Sequence, residues 1–445
     1  MTAKRSIGAE VWAVAWPIAV MGWLRTGLLL CDSYFVGQLG NEALTALGAC
    51  AFGWWMIVLV AELPATGVHA LVAQRIGARD PIGVRQVYGH GLVAAGMAAF
   101  ILALLVPLTS PYLEAMELDR GTSVHSLGVS YLEASLLGGL SLTLNTVVGG
   151  VFRGLGDTRT ALLTTAIAFG VNLLLDPLLI RYMGIAGAAW ATVMANGIGA
   201  TVGIGLLIRR DHSPLFNPLS AALLSEIGRI GGPMTVRGIA FSLVYVALGA
   251  MIATFGDFHL GALGVGHRVE SAAYMLGVAF EVGACTLVGQ RLGAGDAEGA
   301  RSAAHAAARW GVALTLPLTF VLFGLADPMM RIFSDDPATI ASGAAYLRIQ
   351  ALVLVFMTLD STYSGAFTGA GNTVPPLWVT TLGALVRLPL AWLFAWPLGL
   401  GIDGIWWSIG VTTLLRGLAI WGWFHLAADR IQATAVDSVV PRADR

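Results

Sequence analysis

The chain has 445 residues, of which 57% are hydrophobic and only 11% are charged, and its formal net charge is −1. With a mean hydropathy of +0.77, this composition excludes an ordinary water-soluble protein. The balanced charge, without any basic run, gives no indication of nucleic-acid binding.

Apolar stretches long enough to cross about 30 Å of hydrocarbon follow one another along the chain. They predict about twelve membrane helices, because in lipid the backbone polar groups of each stretch need partners within the same segment. In chain order the predicted spans are residues 11–37, 46–71, 87–107, 127–150, 160–181, 184–208, 230–255, 262–288, 304–325, 342–367, 376–399 and 402–426.

Basic and acidic residues lie at opposite ends of these spans. One set of ends carries mostly bases, among them Lys4, Arg5, Arg75, Arg79, Arg209, Arg210 and Arg291. The other set carries mostly acids, among them Glu114, Asp119, Asp257, Asp335 and Asp403. The positive-inside rule therefore predicts a multi-pass inner-membrane protein with both termini in the cytoplasm.

The chain contains an internal duplication. Residues 71–80, LVAQRIGARD, return as residues 287–296, LVGQRLGAGD, and the G-x-F-x-G pattern of residues 150–154 returns at 365–369. Pro17 returns as Pro233, so the offset is nearly constant at about 216 residues. Because each copy holds six helices, the copies are expected to form two bundles related by a pseudo-twofold axis along the membrane normal.

The predicted domains follow from this repeat. They are an N-terminal six-helix lobe (1–208), a polar cytoplasmic linker (209–225), a C-terminal six-helix lobe (226–428) and a polar cytoplasmic tail (429–445). The expected fold class is therefore an all-α integral membrane protein.

Polar residues at membrane depth in the first lobe predict a cation-coupled site. Helix directions place Asp32, Tyr131, Asn172, Asp176 and Thr192 in the same outer half of the membrane. Asn172 and Asp176 are four residues apart and share a helical face. Two carboxylates close together cannot both ionise cheaply, so one is expected to hold a proton or to share a cation. The alternative for Asp32 alone is an interfacial carboxylate that reaches headgroup water.

Two prolines stand inside predicted helices near these residues. Pro17 lies in the first helix, and Pro177 directly follows Asp176 in the fifth. Each removes a helix hydrogen bond and permits bending, although a static kink is the commoner role of prolines in membrane helices.

These residues resemble the MATE (multidrug and toxic compound extrusion) family over essentially the whole chain. The resemblance rests on Asp32 before VGQLG, on Gln74 with Gly77, on GLGDT at 154–158, and on NLLLDP at 172–177 followed by GAAWAT at 187–192. The last two blocks are similar to the prokaryotic DinF-type branch. In that branch the matching residues form the cation site, and the proline of helix one bends when the site is protonated. The resemblance therefore implies these roles for Asp32, Asn172, Asp176, Thr192, Tyr131 and Pro17.

The chain departs from the NorM-type branch, whose sodium site uses an acid on helix seven. The corresponding segment 241–246, FSLVYV, contains no acid, and Asp360 lies about a turn from the helix-ten acid of that branch. No resident metal is therefore expected, although Na+ at Asp32, Asn172, Asp176 and Thr192 is an alternative to H+ as the coupling ion.

The second lobe carries buried charges of its own: Arg237, Glu270, Glu281, Asp360 and Arg387. Helix directions place Arg237, Glu281 and Asp360 in the inner half of the membrane. One hypothesis is that these three form an ion-paired network that holds the cytoplasmic side closed. The alternative, which we favour, is a static structural pair.

The expected function is secondary active efflux by alternating access, in which entry of H+ or Na+ drives export of organic, cationic and amphiphilic small molecules. No cofactor beyond the coupling ion is expected, and the protein is expected to work as a monomer in the lipid bilayer. A flippase for a lipid-linked saccharide is the alternative, but it would need an Arg-rich or Lys-rich cavity, for which only Arg237 and Arg387 are candidates. An enzyme is not expected, because no HExxH, GxSxG or clustered His/Cys ligand set is present.

Overall fold

The computed structural model describes residues 6–116, 118–216 and 219–439, with side chains described as far as residue 426. Every regular element within these ranges is a helix. The helices are α1 (Ile7–Gly37), α2 (Asn41–Gly77), α3 (Pro81–Leu104), α4 (Thr109–Ala115), α5 (Ser123–Leu137), α6 (Gly139–Leu155), α7 (Thr158–Met183), α8 (Ile185–Arg209), α9 (Ala221–Ala253), α10 (Asp257–Gly293), α11 (Ala297–Gly324), α12 (Ala326–Arg331), α13 (Pro337–Gly369), α14 (Val374–Ala395) and α15 (Gly401–Val439).

The predicted all-helical membrane fold is confirmed. Within the described ranges, ten helical segments are long and apolar enough to cross a membrane, or eleven if α5 and α6, which meet at 49°, count as one bent span. The twelfth predicted span, residues 402–426, lies within α15. The predicted tail begins at residue 429, but α15 continues to Val439, and residues 440–445 lie outside the described ranges.

Several helices extend beyond the predicted apolar spans because polar residues cap them outside the apolar stretch. Asp80 caps α3 by accepting a hydrogen bond from the Gly83 backbone N–H at 2.8 Å. In the second copy Asp296 caps α11 in the same way, accepting from the Gly299 N–H at 2.7 Å. The repeated sequence therefore builds the same turn twice.

The residue before each of these caps adopts a left-handed backbone conformation. Arg79 has a φ of 54°, and its counterpart Gly295 has a φ of 74°. Glycine adopts such angles without a steric penalty, whereas a residue with a Cβ does not. The first copy therefore carries a local strain that the second copy lacks.

The repeated G-x-F-x-G pattern marks a close helix crossing. A Cβ added at Gly150 of α6 would lie 2.7 Å from the carbonyl oxygen of Ala65 in α2, and one at Gly154 would lie 2.8 Å from that of His69. Phe152 between them is fully buried. Small residues spaced by four allow two membrane helices to approach this closely.

The second copy repeats this crossing between α13 and α10. Gly365 faces the backbone carbonyl of Glu281, and Gly369 faces that of Cys285. Phe367, the counterpart of Phe152, is also fully buried. The duplication seen in the sequence is thus a duplication of helix packing.

The chain forms two compact units whose limits differ from the predicted domain limits. One unit comprises residues up to Ala19 together with those from Val236 onward, and the other spans Val20–Thr235. The division therefore falls inside α1, just after Pro17, and inside α9, just after Pro233. The segments 7–19 and 221–235 are here called the exchanged segments, because each packs within the unit formed mostly by the other half of the chain.

Specific contacts fix both exchanged segments. In the first, Glu10 forms an ion pair with Arg291, and the rings of Trp12 and Trp310 lie 6.5 Å apart. In the second, the Thr235 hydroxyl donates to the carbonyl of Leu59 at 3.2 Å. The start of each half is thereby built into the unit of the other half.

Candidate ion-coupling site

The predicted polar residues of the first half come together in the Val20–Thr235 unit. Asp32 lies near the end of α1, Tyr131 on α5, Asn172 and Asp176 on α7, and Thr192 on α8. All five are buried: Asp32 is 6% exposed and Asp176 is 0% exposed. The interfacial alternative for Asp32 therefore does not describe its position in this structure.

Asn172 connects the two carboxylates. With its amide nitrogen facing them, it donates to Asp32 Oδ1 at 3.3 Å and to Asp176 Oδ2 at 3.1 Å, while its oxygen accepts from the Thr192 hydroxyl at 3.2 Å. This orientation is assigned from the hydrogen-bond network; in the opposite one, the nitrogen donates to Thr192 Oγ1 at 3.2 Å and to Asp176 Oδ1 at 3.4 Å. The first orientation gives every polar atom of the amide a suitable partner.

The two carboxyl groups are also within hydrogen-bond reach of each other. Two ionised carboxylates only accept hydrogen bonds, so a direct bond between them requires a proton on one. Tyr131 is buried within electrostatic range of both acids. A direct contact between the two carboxyl groups is therefore favourable when one of them is protonated.

The donor set of the site also fits a hard cation. Carboxylate, amide and hydroxyl oxygens are the ligands that alkali and alkaline-earth ions prefer. Asp32 and Asp176 supply carboxylate oxygens and Thr192 a hydroxyl oxygen, from three helices. These oxygen types are compatible with H+ or with Na+ and do not distinguish between them.

A chain of hydrogen bonds that the sequence did not predict extends from this site. Asn196 donates to the carbonyl of Thr192 at 2.8 Å and accepts from the amide of Asn145 at 2.8 Å. Both asparagines lie inside apolar helical stretches, and that placement was the available signal.

The same unit holds a second group of charges that was not singled out in the sequence. Glu62 of α2 lies 3.4 Å from Arg25 of α1 and 3.7 Å from Arg153 of α6. Glu62 falls within the predicted second span, where an acid among apolar residues indicates a paired or functional charge. Arg153 is buried, so Glu62 compensates a cation inside the bundle.

Pro17 and Pro177 both lie within continuous helices, α1 and α7. Neither proline terminates its helix. The structure thus places both inside their helices and leaves the proposed bending of α1 as a prediction.

In the other unit, one part of the predicted charge network is present. Arg237 of α9 donates to Glu281 Oε1 of α10 at 3.3 Å, and both side chains are mostly buried. Asp360 of α13, which was predicted to join them, forms its ion pair with Arg416 of α15 and lies within electrostatic range of Arg237 and Glu281. Helix direction does not specify which side of a helix a residue occupies, so the partner Arg416 was not predicted.

The two other predicted charges of this unit have neutral partners. Glu270 accepts a hydrogen bond from the buried hydroxyl of Tyr346. Arg387 donates to Thr412 Oγ1 at 2.9 Å and to Thr413 Oγ1 at 3.5 Å. Within the described ranges, neither charge has a salt-bridge partner.

Comparison with known proteins finds the same family in both halves of the chain. The MatE family model matches twice, at residues 17–178 and 233–393, which together are more than half of the chain. The two matches begin at Pro17 and Pro233, the pair that marks the internal repeat.

Relatives and solved structures cover nearly the whole length. "Multidrug resistance protein NorM" of Burkholderia vietnamiensis is 28% identical, over 94% of this chain and 94% of its own. "FAD transporter" of Shewanella oneidensis is 26% identical, over 93% of each chain. The structure described as "Crystal structure of MATE in complex with MaL6" superposes with a TM-score of 0.90 at 21% identity, covering 96% of this chain and 98% of that one. The chain therefore belongs to the MATE family and is a multi-pass membrane transporter.

Proposed function

We propose that this protein is a secondary active exporter that couples inward movement of H+ or Na+ to the efflux of organic, cationic and amphiphilic compounds. The observation that carries the proposal is the buried contact of Asp32, Asn172 and Asp176. Loading this site from the outer face would neutralise the carboxylates and change the packing of α1 in the unit. Each proton that moves inward contributes about 2.3 kcal/mol per 100 mV of membrane potential, which is enough to sustain a substrate gradient.

The side of the membrane is part of the proposal. The basic helix ends favour cytoplasmic termini in an inner membrane. In that orientation Asp32 and Asp176 lie toward the external face, from which the coupling ion enters. The related multidrug resistance proteins support drug-like substrates, and we propose that the protein acts as a monomer.

We also propose that the chain belongs with the DinF-type branch of the family. The support is that all five residues of that branch's cation site, Asp32, Tyr131, Asn172, Asp176 and Thr192, are present and buried in one unit. Helix α9 lacks an acid in the segment where the NorM-type sodium site has one.

The test is efflux from proteoliposomes loaded with a fluorescent organic cation, under separately imposed pH and sodium gradients. Asp32→Asn and Asp176→Asn each remove one charge at nearly constant volume and are expected to reduce gradient-driven efflux at least about tenfold, as loss of a coupling residue should. Asp119→Asn, at an exposed acid, is the matched control and should transport like the wild type. Full efflux in both site variants would remove the proposed site, and the gradient that drives the wild type identifies the ion.

A further inference from the structure

The buried arginine of α14 forms no salt bridge with any side chain that the structure describes. Arg387 is 1% exposed; its Nε and Nη2 atoms donate to the hydroxyls of Thr412 and Thr413, and its guanidinium is within hydrogen-bond reach of the neutral phenol of Tyr245. Its guanidinium carbon lies 5.2 Å from the ring centroid of Tyr245 and 5.6 Å from that of Phe241. Its third nitrogen, Nη1, is buried and has no hydrogen-bond partner among the described residues.

Two more nitrogens in the same cluster are also buried without a hydrogen-bond partner in the described ranges: Trp406 Nε1 and His267 Nε2. Ring contacts connect them to Arg387. The ring of Tyr245 lies 4.8 Å from that of His267, His267 lies 5.8 Å from Tyr346, and Tyr346 lies 5.3 Å from Trp406. We call Arg387, Tyr245, His267, Tyr346 and Trp406 the Arg387 cluster.

The unpartnered groups in this cluster are donors. An arginine nitrogen and an indole N–H only donate, and an imidazole Nε2 donates in one of its tautomers. A buried donor without an acceptor costs more than a hydrogen bond gains. The groups missing from this site are therefore acceptor oxygens.

Neighbouring charges do not supply those acceptors. Two mostly buried arginines of this unit, Arg237 and Arg416, each contact a carboxylate. Glu270, which is within electrostatic range of Arg387, is hydrogen-bonded to Tyr346 instead. A guanidinium held in this way favours an anion that arrives from outside the protein.

We propose that the Arg387 cluster is a subsite for the carboxylate of a planar aromatic substrate. The guanidinium presents parallel N–H donors that match the two oxygens of a carboxylate. Tyr245, His267 and Phe241 are each partly exposed, and their rings offer faces on which an aromatic body can stack. The inference deepens the proposed transport function, since it adds a negative group to the substrates that the exporter would accept.

The experiment uses two dyes that differ only at one carboxyl group. Rhodamine 110 carries the free carboxylate, and rhodamine 123 is its methyl ester. Binding of each to the purified full-length protein in detergent is measured by fluorescence polarisation, without any ion gradient. Because a hydrogen-bonded charge contributes about 1.5–3 kcal/mol, the wild type is expected to bind the acid at least about tenfold more tightly than the ester.

Arg387→Gln should lower the affinity for the acid at least about tenfold and leave the affinity for the ester unchanged, because only the acid engages the guanidinium. Arg348→Gln is the control for loss of an arginine, since Arg348 forms a half-exposed ion pair with Asp327 elsewhere in the unit; it should keep the preference. Arg387→Lys retains the charge and should keep part of the preference, which tests the proposal even if the glutamine variant does not fold.

Three results would overturn the proposal. The wild type binds the two dyes equally, the wild type binds neither dye, or Arg387→Gln and Arg387→Lys each lose affinity for the acid and the ester to the same extent. Because this assay contains no gradient, its outcome is independent of the efflux measured with Asp32→Asn. An exporter that is driven by protons but shows no preference for the acid would leave the coupling site standing and remove the anion subsite.

Discussion

A single amide determines how the two carboxylates of the coupling site meet. Asn172 is 1% exposed, and its nitrogen donates to both acids while its oxygen accepts from Thr192. The amide therefore connects α1 to α7 through both acids, and in the proposed mechanism uptake or release of one cation changes the balance of these contacts.

Unlike the two acids of the first unit, Arg237 and Glu281 have opposite charges, and their contribution to the free energy of unfolding can be measured. Removing one partner of a mostly buried pair leaves an uncompensated charge, which costs about 3 kcal/mol. Arg237→Met and Glu281→Gln are therefore each expected to lower the free energy of unfolding by about this amount. The double variant should recover much of the loss, because it leaves no lone charge. Denaturation in mixed micelles measures all four states of the cycle.

Additive losses of unfolding free energy in this cycle would contradict direct pairing of Arg237 and Glu281.

Transport measurements distinguish the two possible roles of the pair, a static ion pair and a gate. If the double variant keeps wild-type efflux and the wild-type ratio of inward-facing to outward-facing molecules, the pair is static, which is the role we favour. A changed ratio of the two conformations identifies a gate. The half-exposed pair of Arg348 and Asp327 is the control, since such pairs contribute at most about 1 kcal/mol.

At the scale of elements, the repeated turn offers an internal comparison. The left-handed conformation of Arg79 costs about 1 kcal/mol relative to glycine. We expect Arg79→Gly to raise the free energy of unfolding by about 1 kcal/mol and Gly295→Ala to lower it by a similar amount. A Cβ at Gly295 would meet nothing within 4 Å. The change in unfolding free energy caused by Gly295→Ala therefore reflects backbone conformation alone. Thermal unfolding in detergent measures both, and shifts in the same direction would refute the explanation.

The sequence predicted the elements better than it predicted their contacts. Apolar length was sufficient to place every long helix, because spanning lipid leaves few alternatives. Helix ends were less accurate, since caps such as Asp80 and Asp296 lie beyond the apolar stretch. Spacing and direction correctly brought Asn172 and Asp176 to Asp32.

Contacts between helices that are distant in sequence depend on rotation about each helix axis, which hydropathy does not encode. Asp360 was expected to pair with Arg237 but forms its ion pair with Arg416. Glu62 and its two arginines were overlooked for a related reason, since a charge inside a span gives no indication of its partner on another helix.

At the scale of the whole molecule, the exchanged segments predict how the chain tolerates being divided. A fragment of residues 1–216 lacks residues 221–235, whose Gly231 packs against the backbone of Leu63 and whose Thr235 bonds to Leu59. A fragment of residues 1–255 restores them. We therefore expect the longer fragment to be monodisperse and to unfold at a higher temperature than the shorter one. Size-exclusion chromatography and thermal unfolding compare the two.

Equal behaviour of the two fragments would show that residues 221–235 are dispensable for the Val20–Thr235 unit. Co-expression of residues 1–216 with 217–445 supplies a second comparison. The two pieces should co-purify, because each carries an exchanged segment that belongs to the unit of the other.

The exchanged segments also determine when certain contacts can form during synthesis of the chain. Residues 7–19 are synthesised almost three hundred residues before Arg291 and Trp310, which they contact. During translation the first turns of α1 therefore remain without these neighbours until α10 and α11 have been made. The unit that contains α10 and α11 therefore cannot complete its packing from the second half of the chain alone, since it needs a segment made much earlier.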